Sequence, residues 1–231
     1  MTKEHYVREA LVVGFDLDMT LVDSAQGISE ALVAVCKLHG VEIRLEDALA
    51  TIGLPLDQVF PMWLPELAYE QLLDEYRDHY GKYGIPKSVA LPGAADALAA
   101  VKALHGRTLV VSAKKADFVQ RVLDVVGLEV DEIYGYLFAE HKGEVLLKEG
   151  AHVYVGDHVG DVAAARVANA ISVVVPTGPT PEAMLREAGA DVVLNDLTEF
   201  VPWLHSMEAL VAGGEHHLPA EHSTSTQNAI D

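Results

Sequence analysis

The chain has 231 residues, half of them hydrophobic, and its 35 acidic and 16 basic residues give a formal net charge of −19. A chain of this length can bury a sizeable core in one large domain, or in a domain with a smaller partner. It lacks the surplus of lysine and arginine that nucleic acids and anionic membranes attract, so we expect neither as a partner. A small anionic substrate fits this charge if a metal ion or a lysine offsets it locally.

Cysteine content and hydropathy indicate a cytoplasmic location. Cys36 is the single cysteine, so no internal disulfide can form, as is typical of proteins in a reducing compartment. No run approaches the ~18 apolar residues of a membrane span. The charged N-terminal segment MTKEHYVREA lacks the apolar region of a signal peptide. The sequence leaves the oligomeric state open between monomer and homodimer.

Short apolar runs alternate with helical patterns along most of the chain. This alternation predicts an α/β fold whose core is a Rossmann-like parallel sheet with helices on its faces. The predicted strands are 10–15, 107–112, 133–138, 152–156, 171–175 and 191–194. The predicted helices between and after them are 93–105, 115–126, 160–168, 181–188 and 197–205.

Residues 25–85 interrupt the alternation and show only helical periodicity. They predict an inserted all-helical cap domain with helices at 26–39, 45–52, 55–63 and 66–82. The core domain then comprises residues 1–24 and 86–206. Residues 207–231 lose periodicity, and we expect a disordered tail in which His216, His217 and His222 are solvated.

Polar residues follow several predicted strands. Asp16 and Asp18 follow the first strand, and Ser112 ends the second. The other candidates are Lys142, in the predicted loop after strand 133–138, and Asp157 and Asp161 in the segment GDHVGD. Because the carboxyl ends of parallel strands share one edge of a sheet, these side chains are expected to meet there.

This set of residues indicates phosphoryl transfer. Asp16 and Asp157, together with Asp161, offer the hard oxygen ligands that Mg²⁺ prefers. Lys142 and the ion would neutralise a phosphoryl group, so that Asp16 could attack phosphorus and form an aspartyl phosphate. In this hypothesis Asp18 acts as general acid and base and Ser112 binds a phosphoryl oxygen.

The four segments together resemble the haloacid dehalogenase superfamily. They read Phe-Asp16-Leu-Asp18-Met-Thr20, then Ser112, Lys142 and Gly156-Asp157-His-Val-Gly-Asp161, over roughly residues 10–200. The closest resemblance is to phosphoglycolate phosphatases with a helical cap. It implies Mg²⁺ bound by Asp16, Asp157 and the backbone carbonyl of Asp18, with Asp161 nearby, and a cap that selects a small phosphorylated metabolite.

Two departures from the family pattern and two alternative functions stay open. Met19 stands where the family usually has glycine, and Lys148 is a rival to Lys142 because Lys142 precedes Asp157 by only fifteen residues. One alternative is a sugar phosphomutase on the same scaffold, against which Thr20 argues by family resemblance. The other is a receiver-like phosphoacceptor signalling module, which would lack both the helical insertion and the GDxxxD segment.

Overall fold

The computed structural model of the chain describes residues 10–213, and the side chains as far as residue 207. Its strands are β1 (Val12–Phe15), β2 (Val22–Asp23), β3 (Val89–Ala90), β4 (Arg107–Val111), β5 (Glu132–Tyr134), β6 (Val153–Gly156), β7 (Ile171–Val174) and β8 (Val192–Val193). Its α-helices are α1 (Ala25–Leu38), α2 (Leu45–Leu49), α3 (Leu56–Val59), α4 (Tyr69–His79), α5 (Ala94–Ala103), α6 (Ala116–Val126), α7 (Glu140–Lys148), α8 (Val159–Ala168), α9 (Glu182–Glu187) and α10 (Phe200–Gly213).

Six of the strands form one parallel sheet in the order β5-β4-β1-β6-β7-β8. Phe15, the last residue of β1, pairs with Val110 on one side and Val155 on the other. The carboxyl ends of these three neighbouring strands are therefore level with one another. The predicted α/β fold is confirmed, and this register fixes where the following loops begin.

The central strands are apolar because the sheet is covered on both faces. All four residues of β1 are buried, and so are all four of β6. Parallel sheets wrapped by helices characteristically have such uninterrupted apolar strands. The core thus holds the strand ends rigidly, while the polar loops at the carboxyl edge carry the chemistry.

The inserted segment is helical, as predicted. Helices α1 to α4 are followed by a π-helical turn at Tyr80–Gly84 and a 3-10 turn at Ile85–Lys87. Strands β2 and β3 pair antiparallel at the two points where the chain leaves and re-enters the core, with Val22 opposite Ala90. The sequence analysis did not predict this pair, since strands of two residues show no periodicity. The division into core and cap domains at residues 24/25 and 85/86 stays a prediction.

The predicted loop position of Lys142 is wrong. Strand β5 ends at Tyr134 rather than at residue 138, so residues 135–139 make the turn and leave room for α7 before β6. Lys142 lies in the first turns of α7. A helix in this short connection holds the lysine in a fixed direction, which a loop would not.

Helix α10 extends to Gly213, beyond the predicted end at residue 205. The chain divides into two units within this helix, one ending at Val201 and one beginning at Pro202. Residues 207–213 of the predicted tail continue this helix, and the rest of the tail, with His216, His217 and His222, lies outside the described residues. Within residues 10–213, no helix combines the length and apolar character needed to cross a membrane.

Candidate active site

The carboxyl edge of the sheet brings the predicted residues together. The backbone N–H of Asp16 donates to Val155 O at 2.8 Å, and that of Ser112 donates to Tyr134 O at 2.9 Å, so each residue continues the ladder beyond its strand. Asp16, Asp157 and Asp161 offer carboxylate oxygens that all lie within 4.8 Å of one another. Three acidic side chains far apart in sequence thus form one cluster.

Lys142 is the cation of this acidic cluster. Its Nζ lies 2.7 Å from Asp161 Oδ1 and 3.1 Å from Asp16 Oδ1, and its side chain is only 4% exposed. Although burial works to lower it, the two carboxylates raise the pKa of Lys142 well above its ordinary value. Lys142 is therefore a permanent positive charge here, whereas the rival Lys148 is exposed.

The acidic cluster carries more negative charge than Lys142 balances. Burial raises the pKa of Asp16 to about 6, against the opposing effect of Lys142. Burial, and then the neighbouring Asp161 and Asp16, raise the pKa of Asp157 well above its ordinary value. Carboxylates that resist ionising together become fully charged when a cation joins them.

Three observations fit a magnesium ion to the acidic cluster. Asp16 Oδ1 is buried and accepts no hydrogen bond, although Lys142 lies near it. The donor atoms are hard carboxylate oxygens, which Mg²⁺ prefers. Two glycines abut the cluster: a Cβ at Gly156 would lie 2.3 Å from Asp161 Oδ2, and one at Gly178 would lie 1.9 Å from Asp157 Oδ2.

Asp161 is held by its own helix. It is the third residue of α8, where its Oδ2 accepts from the backbone N–H of His158 at 3.1 Å in a capping box. Its Oδ1 accepts from Lys142 and, at 3.3 Å, from the hydroxyl of Tyr154. With both oxygens engaged, Asp161 is placed to anchor Lys142 rather than to move toward a substrate.

Asp18 lies in a separate ion pair beside the acidic cluster. Its Oδ1 accepts from Lys114 Nζ at 2.7 Å and from the hydroxyl of Ser24. Lys114 also donates to the hydroxyl of Tyr80, a residue of the helical insertion, at 2.9 Å. Met19, which directly follows Asp18, adopts a left-handed backbone with φ of 61°.

Ser112 and Thr20 complete the polar floor of the site. Ser112 is buried, and its Oγ accepts from the backbone N–H of Lys114 at 3.2 Å. The hydroxyl of Thr20 donates to Asp157 Oδ1 at 3.1 Å, which orients that carboxylate. On the other side of the turn, the hydroxyl of Thr177 donates to the carbonyl of Met19.

A cavity of about 670 Å³ opens above this floor. Asp16, Asp18, Ser112 and Lys142 line its base. Its other walls include the segment from Gly53 to Leu56 and helix α4 of the insertion. Residues 53–55 lie in the connection between α2 and α3 and line the cavity.

Sequence reasoning missed two polar contributors. Lys114 was not among the predicted site residues, but its side chain is 8% exposed and bridges Asp18 to Tyr80. Tyr154 was assigned only to a strand, although its hydroxyl donates to Val111 O at 2.8 Å and contacts Asp161. The signal available for Lys114 was its position two residues after Ser112, which follows a strand. Nothing in the sequence distinguishes Tyr154 from a core residue.

The family of the chain follows from a sequence comparison. The sequence model of the haloacid dehalogenase-like hydrolases matches residues 13–175, which contain every candidate site residue described above. The chain belongs to this family. The resemblance seen in its motifs is thereby confirmed.

Relatives of this haloacid dehalogenase-like hydrolase are phosphatases by name. It is 28% identical over 206 residues to a protein of Caldanaerobacter subterraneus subsp. tengcongensis provisionally named pyrophosphatase PpaX, covering 81% of this chain and 91% of the relative. It is 30% identical over 118 residues to a phosphoglycolate phosphatase of Aquifex aeolicus, covering 51% and 55%. The fold matches that of the haloacid dehalogenase-like protein SP0104 from Streptococcus pneumoniae, with a TM-score of 0.76, 22% identity and coverage of 84% and 98%.

The haloacid dehalogenase-like hydrolase is therefore a phosphoric monoester hydrolase. Neither the phosphomutase nor the receiver-like alternative is favoured by these comparisons.

Proposed function

We propose that the enzyme is a Mg²⁺-dependent phosphatase that hydrolyses its substrate through an aspartyl phosphate on Asp16. The observation that carries this proposal is the position of Asp16 Oδ1, which is buried 3.1 Å from Lys142 Nζ, accepts no hydrogen bond and lies within the acidic cluster. A carboxylate oxygen with no hydrogen-bond donor keeps its lone pairs available for a metal ion or for phosphorus.

Asp16, Asp157 and the backbone carbonyl of Asp18 would hold the ion, with Asp161 close by. Bound there, Mg²⁺ would supply positive charge to the phosphoryl oxygens. Lys142, whose Nζ lies 3.1 Å from Asp16 Oδ1, supplies further positive charge, so that an anionic nucleophile can approach an anionic ester.

In the first step Asp16 attacks phosphorus. A bond forms between its carboxylate oxygen and phosphorus while the ester P–O bond breaks, and the leaving oxygen takes a proton from Asp18. The hydroxyl of Ser112 binds a phosphoryl oxygen during this transfer. Asp18 suits the role because it lies at the cavity base two residues from the nucleophile.

In the second step water releases phosphate. Asp18, now ionised, removes a proton from the attacking water, the new P–O bond forms, and the bond from phosphorus to Asp16 breaks. Lys114 Nζ, 2.7 Å from Asp18 Oδ1, holds this carboxyl group in place at the base of the cavity. The cycle returns both aspartates to their starting states and leaves an alcohol and inorganic phosphate as products.

Replacing the nucleophile tests the proposal. We expect Asp16→Asn to abolish phosphate release from p-nitrophenyl phosphate with Mg²⁺ present, because an amide oxygen is a poor nucleophile. Acid-quenched samples of the wild-type enzyme should carry ³²P from a labelled substrate, and those of Asp16→Asn should not. Asp23→Asn, which replaces an exposed aspartate of β2, is the matched control. Turnover by Asp16→Asn, or activity that is indifferent to EDTA, would refute the proposal.

A further inference from the structure

The cavity above Asp16 is large for the substrates that the names of the relatives suggest. Its volume is about 670 Å³. Pockets of about 300–1,000 Å³ enclose ligands of the size of a typical drug. Glycolate and a second phosphate are each far smaller than the space that remains once a phosphoryl group occupies the base.

The walls of the cavity are mainly apolar. Besides fully buried residues such as Leu32 and Val59, they include half-buried aliphatic and aromatic side chains from both the insertion and the core. These half-buried residues are Ile28, Leu54, Leu56, Leu73, Leu137 and Phe138. When a ligand removes this partly exposed apolar surface from water, the free energy of binding becomes more favourable.

The positive charges around the cavity already have partners. Among residues 10–207, the lysines that line it are each paired with a carboxylate, namely Lys114 with Asp18, Lys115 with Asp117 and Lys142 with Asp161. Arg77 donates to the hydroxyl of Tyr136 at 2.8 Å and packs against its ring. A second anionic group on the substrate would therefore have to displace a carboxylate from a lysine, or compete with the neutral Tyr136 for Arg77, in a chain whose net charge is −19.

We infer that the substrate is a phosphate monoester of an apolar alcohol or phenol, whose leaving group fills the space between Leu54, Leu73 and Phe138. This inference rests on the proposed phosphatase function and names its substrate class. The inference disfavours phosphoglycolate, pyrophosphate and sugar phosphates as substrates. Their leaving groups would place hydroxyls or negative charge against these apolar side chains.

A series of n-alkyl phosphates tests the inference. We expect kcat/KM with saturating Mg²⁺ to rise from ethyl to butyl to hexyl phosphate, by up to about fourfold for each methylene buried. Phosphoglycolate and pyrophosphate should have lower kcat/KM than hexyl phosphate. A flat or falling series, or a preference for either anionic substrate, would overturn the inference.

A substitution in the cavity wall tests whether the preference for longer alkyl chains comes from this cavity. Leu73→Gln keeps a good helix former and replaces apolar surface by an amide on a side chain one atom longer, so the rise along the series should flatten, with ethyl phosphate affected least. Leu38→Gln changes an exposed leucine of α1 that does not line the cavity, and its series should match that of the wild type. An equal rise in Leu73→Gln would contradict the assignment of this wall.

Failure of the inference and failure of the proposed function give different results. If every ester is hydrolysed at a similar rate and Asp16→Asn abolishes all of this activity, the phosphatase mechanism stands and the substrate class is wrong. If Asp16→Asn retains activity toward the alkyl series, the mechanism is wrong whatever the order of the substrates. The melting temperature of each variant identifies a loss of activity that comes from unfolding.

Discussion

Lys114 Nζ lies 2.7 Å from Asp18 Oδ1 and joins that carboxylate to the hydroxyl of Tyr80 in the helical insertion. Burial and Asp18 act in opposite directions on this lysine, and the net effect is to raise its pKa. Lys114 therefore stays positively charged at neutral pH. It fixes the direction of the proposed acid and base, and ties it to the wall of the cavity.

We expect Lys114→Met to lower kcat by roughly tenfold to a hundredfold, because positioned general acid–base catalysis contributes about 10²–10⁴ to the rate. KM should change less, since the phosphoryl subsite at Asp16 is intact. Lys102→Met is the matched control, because Lys102 is exposed on α5 and does not line the cavity. Steady-state kinetics of both variants check the prediction, and equal effects would show that Lys114 has no particular role.

Lys142 gives the second prediction. Lys142→Ala removes the cation that lies near both Asp16 and Asp161, and we expect kcat to fall by about 10²–10³, the cost of losing one electrostatic stabiliser of a transition state. Lys148→Ala should leave kcat within about twofold, since a surface substitution far from such contacts changes little. Initial rates at saturating Mg²⁺ compare the two.

Stability must be followed in the same Lys142→Ala samples, because two carboxylates are left buried without their cation. If the alanine variant does not fold, Lys142→Arg retains the charge and tests the direction of the side chain instead. A larger loss of activity in Lys148→Ala than in Lys142→Ala would show that the structure assigns the wrong lysine to the site.

The pKa of Asp16 leads to a dependence of Mg²⁺ binding on pH. Burial raises that pKa from 3.8 to about 6 in the metal-free protein. The stability that protonated Asp16 contributes is fully present below 3.8 and is lost as the pH rises through about 6. Since Mg²⁺ binds the ionised carboxylate, the increase in melting temperature on adding Mg²⁺ should be small at about pH 5 and larger at about pH 7.5.

Differential scanning fluorimetry with and without Mg²⁺ at the two pH values measures this effect. NaCl at matched ionic strength controls for screening, and Asp157→Asn should lose the Mg²⁺-induced shift at both values. A shift that stays constant or shrinks between the acidic and the neutral sample would contradict the assignment of Asp16 as a ligand.

The sequence predicted where β1 and β6 end but misplaced the end of β5. The apolar runs before Asp16 and Asp157 are buried central strands, so the parallel order alone was enough to bring these carboxylates together. The loop assigned to Lys142 was wrong because the end of β5 depends on tertiary packing rather than on local pattern. Lys114 was missed because its partners, Asp18 and Tyr80, come from segments that only the folded chain places side by side.

Gly178 gives the last prediction, since a Cβ there would lie 1.9 Å from Asp157 Oδ2. Gly178→Ala must displace that carboxylate or the loop after β7, so we expect the Mg²⁺ concentration for half-maximal activity to rise by about tenfold or more, the effect of losing support for a metal ligand. Gly150→Ala is the control: its φ of +68° costs roughly 1 kcal/mol of stability, but nothing lies within 4 Å of the added Cβ. Mg²⁺ titrations of activity, with melting temperatures, separate the two variants. The same Mg²⁺ requirement in both would mean that the loop at Gly178 does not shape the acidic cluster.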